Sequence, residues 1–111
     1  MADGKLVRDK IPEIIRRNGG NPQTHIALIL EYEQLLGRKL MEEAYEFYTA
    51  RDPVSMLEEL ADLLEVVDAI FTYHGRHHNI TRQKVAARKK QKNREKGKFS
   101  KRIVLENPAP R

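Results

Sequence analysis

The sequence predicts an all-α fold, a bundle of helices forming a single domain over residues 1–111. Two long stretches, Leu30 to Ala50 and Asp52 to His74, repeat apolar residues at helical spacing. Between and around them stand short stop signals, of which Asn18-Gly19-Gly20-Asn21-Pro22 and Arg51-Asp52-Pro53 are the clearest. A chain of 111 residues has room for one modest core, and with no cysteine it excludes a disulfide framework, a thiolate metal site and a cysteine nucleophile.

Each element follows in order. Around Lys5 to Pro12, Asp9 can cap a short helix that holds Pro12 in its first turn and Ile11, Ile14 and Ile15 on its apolar side. Thr24 to Ile29 reads as a short extended piece. In the helix from Leu30 to Ala50, Leu36, Leu40, Ala44 and Phe47 share one side with Met41 and Tyr48 at its edge, while Lys39, Glu42 and Glu46 project from the other. Gly37 weakens it by about 1 kcal/mol relative to alanine, marking a bend or close packing.

Arg51-Asp52-Pro53 is a stop, an N-cap and a proline at the first helical position, so the next helix should pack antiparallel to the last. Leu57, Leu60, Leu64, Val67 and Phe71 form its apolar side, widened by Leu63 and Ile70. Glu58, Asp62, Glu65 and Asp68 lie opposite, with Glu59 on the boundary. His74-Gly75-Arg76-His77-His78-Asn79 reads as the helix end, with Gly75 near the C-cap. Its three histidines do not make a zinc site on this reading, because a glycine-containing turn does not fix ligands as an i, i+4 helical pair would. Thr81 to Lys96 is a basic helix anchored by Val85 and Ala86 and ended by Gly97. Phe99 to Glu106 is expected as a short strand that pairs with Thr24 to Leu28 in a small β-ribbon, and residues 107–111 as a loose tail.

Charge is distributed unevenly. The net charge is +5, yet residues 82–102 hold eleven of the 21 Lys and Arg against one acid, Glu95, and residues 42–68 hold nine of the 16 acids. An acidic centre and a basic end suit a metal and phosphates respectively, or nucleic acid at the basic end. Phe99 is the one aromatic residue in that run, too few to interleave it and stack successive bases, which makes nucleic acid the weaker partner. No apolar run approaches 18 residues, and Lys5, Arg8, Asp9 and Lys10 interrupt the N-terminus, so neither a membrane span nor a signal peptide is expected and the location is expected to be cytoplasmic.

The acidic centre carries the chemistry. Glu42-Glu43-Ala44-Tyr45-Glu46 and Glu58-Glu59-Leu60-Ala61-Asp62 each place carboxylates one turn apart on a helix, where like charges repel by about 0.2–0.5 kcal/mol per pair unless a cation compensates. Such stripes are often only solvated faces. Two on consecutive helices with a short connection can face a shared cavity, and all-carboxylate ligation favours Mg2+ or Mn2+ over iron or zinc. A di-iron bundle would need a Glu-x-x-His pair, and Glu43 and Glu59 are followed three residues later by Glu46 and Asp62. With basic residues at hand and no Walker-type glycine loop, metal-assisted hydrolysis of a phosphoanhydride is the chemical expectation.

Glu42-Glu43-x-x-Glu46, twelve residues, then Glu59-x-x-Asp62 resembles the signature of the all-α nucleoside triphosphate pyrophosphohydrolases, the MazG-like and phosphoribosyl-ATP pyrophosphohydrolase-like superfamily. Lys5-Leu6-Val7-Arg8-Asp9-Lys10-Ile11-Pro12, Lys39-Leu40, Arg94-Glu95-Lys96-Gly97-Lys98-Phe99 and Lys101-Arg102-Ile103-Val104 resemble a small single-domain branch of it and extend the likeness over nearly the whole chain. The resemblance implies hydrolysis of a nucleoside triphosphate or related nucleotide to monophosphate and pyrophosphate, with non-standard nucleotides as the default substrates and phosphoribosyl-ATP as the alternative. It implies that Glu43, Glu46, Glu59 and Asp62 hold Mg2+, with Mn2+ as a substitute. Glu42 is then a further ligand or the group that orients and deprotonates the attacking water. Arg8, Lys10, Lys92 and Arg94 are the phosphate-binding candidates. The resemblance also implies a helical bundle completed by a second subunit, in a homodimer or larger homo-oligomer. Gly37 departs from the helix former expected at its place in this branch.

Overall fold

The structure, a computed structural model, describes residues 4–107, so most of the tail expected over 107–111 lies outside the described residues. Four helices follow in order: α1 (Ile11–Arg17), α2 (Ile29–Thr49), α3 (Pro53–His78) and α4 (Arg82–Lys96).

α1 keeps Pro12 in its first turn, but its N-cap is Lys10, not Asp9, and no side chain caps it. A backbone turn does the work instead: Ile11 N–H donates to the Arg8 carbonyl and Ile14 N–H to that of Lys10, and Pro12 has no N–H to satisfy. The helix ends where the glycines are. Gly19 takes φ 90°, its N–H donating to the Arg16 carbonyl while Gly20 N–H reaches that of Ile15, the two bonds of a Schellman cap.

α2 and α3 make the one substantial helix–helix contact among the described residues. Asp52 caps α3 as expected, accepting from Ser55 N–H at 2.9 Å and from Ser55 Oγ at 3.1 Å, and these bonds hold its carboxyl below the ordinary 3.8. The pair is antiparallel: Glu33 meets Tyr73 at one end of the hairpin, and Glu43 meets Glu59 and Asp62 toward the other.

The faces differ from the expected ones. Leu35, Leu36, Val66 and Tyr73 are buried together with Glu43, and Lys39, Leu40, Glu46, Glu59, Asp62 and Leu63 are half-buried. Met41, Ala44 and Tyr48 of α2 and Leu57, Leu60 and Leu64 of α3, assigned to apolar faces or their edges, are exposed. Both helices carry more apolar surface than one hairpin can cover. The aromatic edge contact of Tyr32 with Tyr73, centroids 5.5 Å apart, and the burial of Leu36 to 1% exposure set the rotation that is adopted. That rotation turns Glu43, Glu46, Glu59 and Asp62 toward the hairpin interior.

α3 does not stop near Gly75. It continues to His78 and is capped by Asn79 in the left-handed region at φ 57°, with Asn79 and Ile80 N–H groups both reaching the His74 carbonyl. Asparagine tolerates that conformation and so serves as the stop in place of the glycine. α4 is capped by Thr81, whose Oγ1 accepts from Lys84 N–H, and ends at Gly97 with φ 80°. Val85 and Ala86 are exposed and do not anchor it. Arg82 does, pairing with Asp68 and lying 4.6 Å from the centre of the Phe71 ring.

No strand forms among the described residues, so the β-ribbon is absent. Thr24 to Leu28 is irregular, and Phe99 to Arg102 is a turn closed by Arg102 N–H on the Phe99 carbonyl. A two-stranded ribbon is marginal without a packed face, and Phe99, Ile103 and Val104 are at least 80% exposed. None of the helices among the described residues is long and apolar enough to cross a membrane.

Candidate metal centre

The two acidic stripes converge because the antiparallel turn at Ala50 to Asp52 brings the second half of α2 against the first half of α3. Carboxylate oxygens of Glu43, Glu59 and Asp62 lie within 4.8 Å of one another, as do those of Glu42, Glu43 and Glu46. Glu43 belongs to both groups and is 4% exposed. Its Oε2 is buried with no hydrogen-bond partner among the described residues. A buried carboxylate oxygen left this way costs about 1–3 kcal/mol or more, so the site calls for a cation or a proton.

Electrostatics agree. Burial, then the charge of Glu46, push the Glu43 carboxyl above the ordinary 4.5, with Lys39 opposing and Asp62 and Glu42 adding. Glu59 is pushed up too, by burial first, then by Glu46 and Asp62 and by a side-chain hydrogen bond with Glu46. Carboxyls that resist ionisation beside one another are the arrangement that a divalent ion relieves, and the all-oxygen donor set fits Mg2+ or Mn2+. Glu43, Glu46, Glu59 and Asp62 are therefore the residues that fit such an ion.

The basic candidates divide. Arg8 Nη2 donates to Asp62 Oδ1 at 2.9 Å, bringing the N-terminal segment to the rim of the acidic group. Lys10 occupies the N-cap of α1, and Lys92 and Arg94 lie on α4; no hydrogen bond or ion pair among the described residues joins these three to the acidic group. Sequence reasoning missed the site's nearest ammonium groups. Lys39 and Lys5 both approach Glu42 Oε2, at 3.3 and 3.5 Å. The i, i+3 spacing of Lys39 and Glu42 was the available signal for the first; the contact of Lys5 depends on tertiary placement and had none.

In comparisons with protein-family models, curated proteins and solved structures, nothing matches this chain.

Proposed function

We propose that this chain is a Mg2+-dependent nucleoside triphosphate pyrophosphohydrolase of MazG-like type, acting in the cytoplasm on nucleotides that include non-standard ones. The observation that carries the reading is Glu43: a buried carboxylate with one oxygen lacking a partner among the described residues, gathered with Glu59 and Asp62 within 4.8 Å. Glu43, Glu46, Glu59 and Asp62 would hold the ion. Mg2+ bound there supplies positive charge to phosphate oxygens as negative charge shifts onto the leaving pyrophosphate. Arg8 stands at the rim, able to exchange its bond to Asp62 for one to a phosphate oxygen. Glu42, with Oε2 held by Lys5 and Lys39, sits beside Glu43 and Glu46 to orient water or to add a ligand. Lys10, Lys92 and Arg94 serve phosphates on this reading only if α1 and α4 approach the site or a second copy of the chain presents them.

Shape supports that second copy. The accessible surface is 10116 Å2, roughly 3800 Å2 more than a compact monomer of 12.9 kDa would show. The radius of gyration is 17.9 Å, against about 13 Å for a compact domain of this length. An obligate homodimer buries about 2000–5000 Å2 in all, half from each chain, so association with a second copy covers a substantial part of this excess.

The test is pyrophosphate release from a panel of standard and modified nucleoside triphosphates, with phosphoribosyl-ATP included, in the presence of Mg2+. Release by the native chain and its loss in a folded Glu59→Gln variant is expected. No release from any substrate, with Mg2+ leaving the native Tm unchanged, would overturn the reading.

A further inference from the structure

At the end of the hairpin remote from the carboxylates, the extension of α3 past Gly75 creates what the sequence alone argued against: an i, i+4 histidine pair on a continuous helix, His74 and His78. Their Nδ1 atoms face each other at 2.8 Å and their rings stack with centroids 4.9 Å apart. A carboxylate oxygen of Glu33, from the first turns of α2, lies within 4.8 Å of ring nitrogens of both. Two imidazoles and a carboxylate are a borderline donor set, unlike the all-oxygen group lower in the hairpin. By helical rise the two sites stand about 18 Å apart along α3, counted from Asp62 to His74.

The surroundings orient these ligands. Tyr73, 6% exposed, donates its hydroxyl to Glu33 Oε1 at 3.2 Å, which restrains that carboxylate. The Tyr73 ring packs edge-on against His74, centroids 4.9 Å apart, and restrains it. His77 is kept out of the group: its Nδ1 donates to the Tyr73 carbonyl at 2.9 Å, and its ring stacks on Tyr73 at 4.3 Å. Such outer hydrogen bonds are what hold ligating side chains in place around a metal.

We infer that Glu33, His74 and His78 form a binding site for a divalent transition ion of the zinc class, which ties the N-terminal part of α2 to the C-terminal turn of α3. Two facing Nδ1 atoms repel when both rings are protonated and share one proton when both are neutral; a cation between them uses both lone pairs. Metal–nitrogen bonds of about 2.0–2.1 Å in tetrahedral geometry require the nitrogens about 3.3 Å apart, so the rings need open only slightly. Three protein ligands leave a coordination position for water.

The test is calorimetric titration of the full chain with Zn2+, after removal of metals by chelator and with Mg2+ saturating, so that the acidic group is already supplied. About one Zn2+ per chain is expected. Losing an outer hydrogen-bond partner from such a site costs about 10- to 100-fold in affinity, the loss expected for Tyr73→Phe. His74→Gln and His78→Gln should each cost about 100-fold or more by the same scale, while His77→Gln should bind as the native chain does. Absence of Zn2+ binding, binding by His74→Gln or His78→Gln as tight as that of the native chain, or loss of binding in Glu43→Gln instead would overturn the inference. Should the histidine variants not fold, the ring resonances of the native chain decide. Zn2+ must shift those of His74 and His78 and spare His25, and a response confined to other residues overturns the site.

Discussion

Arg8 and Asp62, 54 positions apart, are joined by a 2.9 Å hydrogen bond between guanidinium and carboxylate. Both side chains are about half exposed, so the pair should contribute at most about 1 kcal/mol to stability. Its value on the proposed reading is positional, since it parks a phosphate-binding cation against a metal ligand. Arg8→Ala is therefore expected to leave the Tm nearly unchanged while lowering kcat/KM for pyrophosphate release by about 10-fold or more, with Arg8→Lys intermediate. A large Tm loss with unaltered kcat/KM would reassign Arg8 to a structural tie.

Glu43 gives a prediction of opposite sign for stability and activity. In the metal-free protein its buried Oε2 has no partner among the described residues, and Glu42, Glu46 and Asp62 surround it with like charge. Glu43→Gln removes one charge and adds an amide that can donate to those neighbours. Thermal unfolding without metal should show the variant more stable by about 1–2 kcal/mol, whereas added Mg2+ should stabilise the native chain alone and hydrolysis should disappear. A variant less stable than native without metal would mean that Glu43 is already well satisfied.

The same residues set a pH dependence. Glu43 and Glu59 have folded pKa values raised above 4.5, so well below that pH they are protonated in both folded and unfolded chains and exert no penalty. As pH rises through the raised values, the unfolded chain ionises more readily than the folded one, and metal-free stability falls. Mg2+ competes with the protons on Glu43 and Glu59, so its stabilising effect should be weakest well below pH 4.5 and grow toward neutrality. Melting curves with and without Mg2+ across that window, compared with Glu43→Gln, check both trends; an Mg2+ effect independent of pH would count against carboxylate ligation.

The helices were legible because their boundaries are written in local chemistry: Asp52-Pro53 starts α3, Gly19 ends α1 and Gly97 ends α4. Convergence of the acidic stripes was legible too, since a short connection between consecutive helices leaves few alternatives to antiparallel packing. Rotation of the helices was not. Leu57, Leu60 and Leu64 satisfy helical periodicity as well as Leu63, Val66 and Ile70 do, and periodicity cannot tell which arc meets a neighbour within the chain. Gly75 misled for a related reason: Asn79, four residues on, offers the same left-handed stop, and the choice between them depends on how His77 packs on Tyr73.

Gly37 supplies a test that is independent of the chemistry. It lies exposed within α2, and a Cβ built there would meet nothing within 4 Å among the described residues, so no packing there requires a glycine. Gly37→Ala should stabilise the protein by about 0.5–1 kcal/mol in denaturant unfolding, with hydrolysis unchanged. Destabilisation would show that another copy of the chain approaches the backbone at this point.

The exposed apolar arc makes the last prediction. Leu57 and Leu64 are 64% and 63% exposed and lie two turns apart on one side of α3. Covering the exposed two thirds of each leucine should be worth about 1–2 kcal/mol, a drive toward association for a chain with so small a core. Sedimentation of the native chain is expected to give at least twice the 12.9 kDa chain mass. Leu57→Asp and Leu64→Asp each place an unpaired charge in the proposed contact, and are expected to shift the mass to that of the single chain, with lower helical content and loss of hydrolysis. The order of loss on dilution matters as well: if the second copy completes the site, activity should fall with the oligomer and return on concentration. A native chain that sediments as a monomer at full helical content and full activity would sink the oligomer and require Arg8, Lys10, Lys92 and Arg94 to serve the site from within one copy.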